Sequence, residues 1–282
     1  MKVPFTLADK RYLIYFFVPT QGGGMEIIMT QNERLHFLID YLIKERCTDM
    51  EIPSDISEQK LLLRSLMNVR TPKPASDEFI KIQDEYLQTE TADKGITDVC
   101  ELTPVCNKLY IWQGDITTLR CGAIVNAANS AMLGCFVPCH NCIDNAIHTY
   151  AGIQLRLECA DLMMKQGCAE PTGHAKITKA YNLPCDYIIH TVGPIIHGKL
   201  TKKDCELLKS CYIECLKKAE KNGIKSIAFC CISTGVFHFP NEKAAQIAIG
   251  TVKEYLKKSE IERVIFNVFK DNDKEIYTKL LG

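Results

Sequence analysis

Between Gln31 and Arg46 the apolar residues Leu35, Leu38, Ile39, Leu42 and Ile43 return every three or four positions, the period of a helix with one buried face. Ser57 to Val69 repeats the pattern, with Ser57 as the expected N-cap. Thr71-Pro72-Lys73-Pro74 then breaks the chain, and Ser76 caps a third such stretch that runs to Leu87. Beyond Gly95 the texture changes. Lys108–Trp112, Ala123–Asn126, Ala175–Ala180, Tyr187–Thr191, Ser226–Cys231 and Arg263–Val268 are short, apolar and rich in β-formers, and they predict strands. Between and after them, Asp144–Lys165, Lys203–Asn222, Asn241–Lys258 and Asn272–Leu281 predict helices. Strands alternating with helices point to an α/β protein with a mostly parallel sheet covered on both faces. In such sheets a ligand lies beyond the carboxyl ends of the strands.

This pattern divides the chain. Residues 1–24 are poorly patterned and end in Gly22-Gly23-Gly24, which reads as a disordered leader or as sequence ahead of a natural start at Met25. Residues 25–104 read as a helical extension, at about 65 residues of helical unit too small to stand as a confident free domain. Residues 105–282 read as the α/β domain. The extension shows no chemistry of its own and reads as a packed accessory burying one flank of the sheet.

Composition narrows the class of function. Lys+Arg and Asp+Glu both total 34 in 282 residues, and a net charge of zero argues against a nucleic-acid partner. It leaves room for a small anionic ligand, which backbone N–H groups can hold unaided. The 15 cysteines are odd in number and sit in apolar runs such as Phe229-Cys230-Cys231-Ile232. No signal peptide opens the sequence, and Tyr12 to Val18 falls far short of the roughly 20 residues of a membrane helix. Reduced thiols, a cytoplasmic location and no membrane are therefore expected.

Four segments at strand ends carry candidate chemistry. Gly114-Asp115-Ile116-Thr117 pairs a tight turn with a carboxylate that can accept from an exocyclic amine or cap the next turn. Asn126-Ala127-Ala128-Asn129 sets two amides around small residues, so that a ligand can approach the backbone; strand-end asparagines also serve turns. Within Gly134 to His148, Cys135, His140 and Cys142 form a C-x4-H-x-C set of soft ligands suited to one zinc ion, in a loop stiffened by Pro138. Cys139 is a fourth candidate, although adjacent Cys139 and His140 rarely face one ion. Cys142 precedes a helix whose dipole favours a thiolate. Three spaced ligands leave a coordination position open, the catalytic pattern, unless His174, His190 or His238 closes the shell. Lastly, Ser233-Thr234-Gly235-Val236-Phe237-His238-Phe239-Pro240 joins a strand to a helix, where amides can converge on a diphosphate while Phe237 and Phe239 flank a sugar or base.

In this order the segments resemble the macrodomain family. Gly173-His174-Ala175 and His190-Thr191-Val192-Gly193-Pro194 also look like its strand segments. The Cys135/His140/Cys142 loop, together with Leu66-Met67-Asn68-Val69-Arg70 and the helical leader, resembles the zinc-dependent branch. The resemblance implies a three-layer α/β/α fold around a mixed six-stranded sheet, with ADP-ribose at its crest. It implies that Asp115 reads the adenine amine with the Ile116 backbone behind it. Ser233, Thr234, Gly235, Val236 and Phe237 would cradle the diphosphate, Phe237 against the distal ribose, and Phe269 would cover the adenine. Asn126 and Asn129 would border the distal ribose beside the zinc. Asp144 matches the acidic residue of the hydrolytic branch, acting in catalysis or orienting the loop, with Asn145 beside it where that branch has Gly.

The activity so implied is zinc-dependent removal of mono-ADP-ribose from acidic side chains of proteins, with Asn126, Asn129 and Asp144 as the catalytic set. The partner is a modified protein, of which a lipoyl-carrier protein is one kind, and the chain is expected to act as a monomer. Two other readings share the binding motifs: an ADP-ribose-binding module with structural zinc, and a hydrolase of O-acetyl-ADP-ribose.

Overall fold

The computed structural model describes residues 29–282, together with the backbone of two short antiparallel strands, β1 (Phe16–Pro19) and β2 (Met25–Ile28). Of the leader expected over residues 1–24, all but 16–19 lies outside the described residues. The chain divides into two compact units, one ending at Leu63 and the other spanning Arg64–Gly282. In the first, α1 (Gln31–Glu45) buries Leu35, Leu38, Ile39, Leu42 and Ile43, the five positions of the apolar stripe. Thr30 and Glu33 close a capping box at its start, satisfying two amides that the helix cannot. The helix α2 (Ile56–Val69) begins in this unit and ends in the second. Its cap is Asp55 rather than Ser57: the Asp55 carboxylate accepts from the Glu58 amide at 3.0 Å, and the Ser57 hydroxyl bonds to that same carboxylate.

The second unit continues with α3 (Asp77–Asp93), capped by Ser76 as expected. It runs six residues past Leu87, because the polar stretch Gln88-Thr89-Glu90-Thr91 stays helical and buries Thr91. There follow β3 (Thr97–Asp98), β4 (Leu109–Gln113), β5 (Leu119–Arg120) and β6 (Ala123–Ala128). Next come α4 (Ile143–Ala151), α5 (Ile153–Gln166), β7 (Ala175–Lys179) and β8 (Tyr187–Val192). The chain closes with α6 (Lys202–Lys221), β9 (Ser226–Phe229), α7 (Asn241–Leu256), β10 (Arg263–Val268) and α8 (Asp271–Leu281). The short parallel pair β3–β5 was below the length that alternation can reveal.

The main sheet has the order β4-β10-β9-β6-β8-β7, parallel throughout except for antiparallel β7 against β8. Helices α6, α7 and α8 pack together on one face, and α4 and α5 with α3 beside them form the other layer. Coverage on both faces explains why the strands read as continuous apolar runs: Ala123, Ile124 and Val125 are all fully buried. The single helix expected over Asp144–Lys165 is two. Gly152 divides them at φ 96°, a conformation that disfavours any residue with a Cβ, and the Ile153 amide donates to Gln83 Oε1 at 2.9 Å. Five parallel strands direct their carboxyl ends to one edge, and all four candidate segments lie there. Among the described residues, no helix is long and apolar enough to cross a membrane.

Candidate active site

Asn126 lies inside β6 rather than at its end, fully buried and facing α4. Its Nδ2 donates to Asp144 Oδ1 at 2.8 Å, and Asn129 Nδ2 reaches Asp144 Oδ2 at 3.3 Å and the Gly134 carbonyl at 3.0 Å. The structure thus joins the three residues assigned to catalysis in one network. Behind them stands His190 on β8. Its Nδ1 accepts from Asn126 Nδ2 at 3.1 Å, which puts the proton on Nε2, 2.9 Å from Thr178 Oγ1. Asn126 is therefore oriented, and its Oδ1 is left without a protein partner. Burial pushes the Asp144 carboxyl up to about 6, against the pull of Asn126, Arg156 and Asn129. His148 Nε2 lies 3.6 Å from Asp144 Oδ1, but burial holds this imidazole neutral, so the contact is not an ion pair.

The cysteine loop leaves this network through Gly134, whose φ of 78° and tight approach to His148 exclude a side chain: a Cβ there would lie 2.7 Å from the ring. Cys135 Sγ and His140 Nδ1 are 3.6 Å apart, and with Cys142 the three donor atoms lie within 4.8 Å of one another. Tetrahedral zinc with its usual bond lengths needs neighbouring donors roughly 3.5 Å apart. The trio fits that demand with small movements. Cys142 caps α4 and accepts from the Asn145 amide at 3.4 Å, as a helix N-terminus invites. Burial nonetheless pushes its thiol up to about 12, aided by Cys135 and Asp144, so the helix end alone does not make the thiolate. A bound cation would. Cys139 turns away at φ 51°, with Sγ 3.2 Å from Ser65 Oγ. His190 lies with buried His148 and Cys159 instead, and among the described residues His174 and His238 join no ligand cluster.

At the other end of the crest, Asp115 Oδ1 accepts from the Thr117 amide at 3.0 Å and hydroxyl at 2.6 Å. Lys94 Nζ sits 3.1 Å from Oδ2 and over the Tyr150 ring. Burial works to raise this carboxyl, but Thr117 and Lys94 outweigh it and hold it below the ordinary value. An adenine amine would share Asp115 with Lys94, a residue that no sequence signal marked. Ile116 is buried beside it, and Phe269, just past β10, is 74% exposed, an aromatic face open to a ligand.

The Ser233–Phe237 loop has the form of an anion cradle. Ser233 is buried in a left-handed conformation at φ 65°, and its Oγ has no protein partner. Among the described residues, the amides of Gly235, Val236 and Phe237 donate to no protein acceptor, and space above Gly235 is open. Thr234 Oγ1 tethers the loop to the Cys231 carbonyl at 2.9 Å, while Phe237 is half-buried. Phe239 cannot flank a ligand as expected: at 1% exposure it belongs to the core, where its apolar ring is driven. Gly193, at the end of β8, makes room for the cradle, because a Cβ there would fall 2.0 Å from Ser233 Oγ. Gly193→Ala should therefore shift the loop, cost about 1–3 kcal/mol of stability and weaken ADP binding measured by calorimetry. Unchanged stability and affinity would show that the approach is not needed.

The Macro domain family model matches residues 125–248. The chain is 56% identical over 261 residues to a protein-ADP-ribose hydrolase from Treponema medium, covering 90% of this chain and 100% of that one. It is 46% identical over 258 residues to a protein of the same name from Staphylococcus aureus strain MSSA476, covering 90% and 97%. Among solved structures it is similar to the Trypanosoma brucei macrodomain in complex with ADP-ribose, at 30% identity and a TM-score of 0.60, covering 78% of this chain and 95% of that one. The Oceanobacillus iheyensis macrodomain with ADP is 36% identical with a TM-score of 0.58, covering 64% and 93%. The six-stranded sheet and these likenesses agree: the chain belongs to the macro domain family.

Proposed function

We propose that the chain is a zinc-dependent hydrolase that removes mono-ADP-ribose from modified Asp or Glu side chains of proteins. The observation that carries this reading is the junction at the start of α4, where Cys142 of the ligand trio stands two residues from Asp144, itself held by Asn126 and Asn129. The free amides of Gly235, Val236 and Phe237 suit a diphosphate, Asp115 an adenine amine, and Phe269 an adenine face. On this reading the distal ribose lies between Phe237 and the asparagine pair. The relatives named protein-ADP-ribose hydrolase support the same activity class.

Cys135, His140 and Cys142 would hold the zinc, which when bound supplies Lewis-acid polarisation at the scissile linkage. The rest of the chemistry falls to the chain. Asn126 Oδ1, unpartnered in the protein, accepts from a ribose hydroxyl. Asp144 keeps lone pairs beyond those used by the two amides, enough to take a proton from an attacking water. Rates of ADP-ribose release from an acidic-residue conjugate and from O-acetyl-ADP-ribose test the reading, with faster turnover expected on the protein. Tight ADP-ribose binding with no release from either would make the chain a binding module.

A pH effect follows from the same carboxyl. In the zinc-free protein Asp144 titrates near 6 rather than the ordinary 3.8, so the folded chain holds its proton more tightly than the unfolded one. That contribution to stability is full below about pH 4 and is lost as pH rises through 6, on the order of 3 kcal/mol in all. Urea unfolding of the zinc-free protein should show this slope between pH 4 and 7, and Asp144→Asn should remove it. An identical slope in the variant would assign the effect elsewhere.

A further inference from the structure

We infer that the C-terminal half of α2 belongs to the metal site, with Arg64, Asn68 and Asn145 acting as positioning residues that pre-form the Cys135–Cys142 loop. The inference rests on the zinc reading above and extends it to residues outside the ligand loop. Asn145 is the centre of the arrangement. It is fully buried, and its Oδ1 accepts from Arg64 Nε at 3.2 Å and Nη2 at 2.8 Å. Its Nδ2 donates to the Val137 carbonyl at 3.0 Å and, at longer range, to the Cys135 carbonyl at 3.5 Å. One side chain thus ties α2 to the middle and the start of the loop.

Arg64 and Asn68 bond to the loop directly. Arg64 Nη2 also donates to the carbonyl of His140, itself in the ligand trio, at 3.0 Å. Asn68 Oδ1 accepts from the Cys139 amide at 2.9 Å, holding the residue that turns out of the cluster at positive φ. Asn68 Nδ2 is anchored in turn on Thr149 Oγ1 of α4 at 3.0 Å, so the brace spans two helices. The backbone next to two ligands and between them is fixed from outside the loop. A loop ordered in advance does not lose its conformational freedom when the metal binds, and partners behind metal ligands commonly set affinity by 10–100-fold. A glycine at position 145 would offer none of these bonds.

The test measures zinc affinity of the full chain by competition with a chromophoric chelator, for the unsubstituted protein and for Arg64→Ala, Arg64→Lys and Asn145→Ala. ADP affinity by calorimetry serves as the second readout. Arg64→Ala and Asn145→Ala should bind zinc at least about tenfold more weakly while retaining ADP affinity, and Arg64→Lys should recover part of the loss. If Asn145→Ala loses ADP binding as well, the half-exposed Arg64 site decides the matter. Zinc affinity unchanged in Arg64→Ala, with the unsubstituted protein binding the ion, would overturn the inference alone. Failure of the unsubstituted protein to bind zinc would overturn the zinc reading and this inference with it.

Discussion

Cys142→Ser should strip zinc from the protein and lower release of ADP-ribose by at least about 100-fold, while leaving the fold intact. Serine is a preferred N-cap, so α4 keeps an acceptor for the Asn145 amide and loses little stability. What it cannot supply is a thiolate. Only Cys135 and His140 would remain of the trio, and losing a direct ligand should cost more than the 10–100-fold typical of an outer partner. Metal analysis beside a turnover assay on an ADP-ribosylated protein checks both halves. A variant with full zinc and full turnover would remove Cys142 from the site.

Arg156→Ala should be the most destabilising single change in this region, by about 3–5 kcal/mol, because it strips a buried charged donor from the Leu133 carbonyl and from those at the end of α2. Nε donates to the Leu133 carbonyl at 2.7 Å, and Nη1 reaches the carbonyls of Met67, Asn68 and Arg70 at 3.0, 2.9 and 2.5 Å. The guanidinium is buried, rests on the Phe136 ring, and meets the negative end of α2 in place of a paired carboxylate. Burial lowers its pKa, yet an arginine keeps its charge, and only a planar fork can serve two chain segments at once. Arg156→Lys should recover a minor part of the loss. Chemical denaturation measures this directly, and a loss below about 1 kcal/mol would mean that the carbonyls find water.

The first effect rests on neighbours within seven residues, which a sequence displays, whereas the second rests on partners far along the chain, which it does not. Periodicity marked the five buried positions of α1 and placed all six strands of the main sheet, because local burial writes itself into local pattern. The four strand-end segments were legible for a related reason: each packs glycine, amide or thiol chemistry into a few consecutive residues. The brace on the cysteine loop was not. Arg64 meets Asn145 across 81 residues, and Arg156 meets Arg70 across 86, with no spacing rule to connect them. From sequence the helical extension looks like packing alone, whereas Arg64, Ser65 and Asn68 within it bond to the loop. Asn145 did leave a trace, as an amide where the hydrolytic branch has glycine. Gly152 splits a helix that the amphipathic pattern runs straight through, and Phe239 turns into the core from a loop whose sequence offers it to a ligand.

The central claim is that zinc held by Cys135, His140 and Cys142 is needed for turnover at a cleft built for ADP-ribose. It is tested most directly by removing the metal with a chelator, measuring ADP-ribose release from a protein modified on acidic side chains, and then titrating zinc back. Turnover should vanish on chelation and return in proportion to zinc, reaching its plateau at one ion per chain. Undiminished release by the metal-free protein would contradict the account.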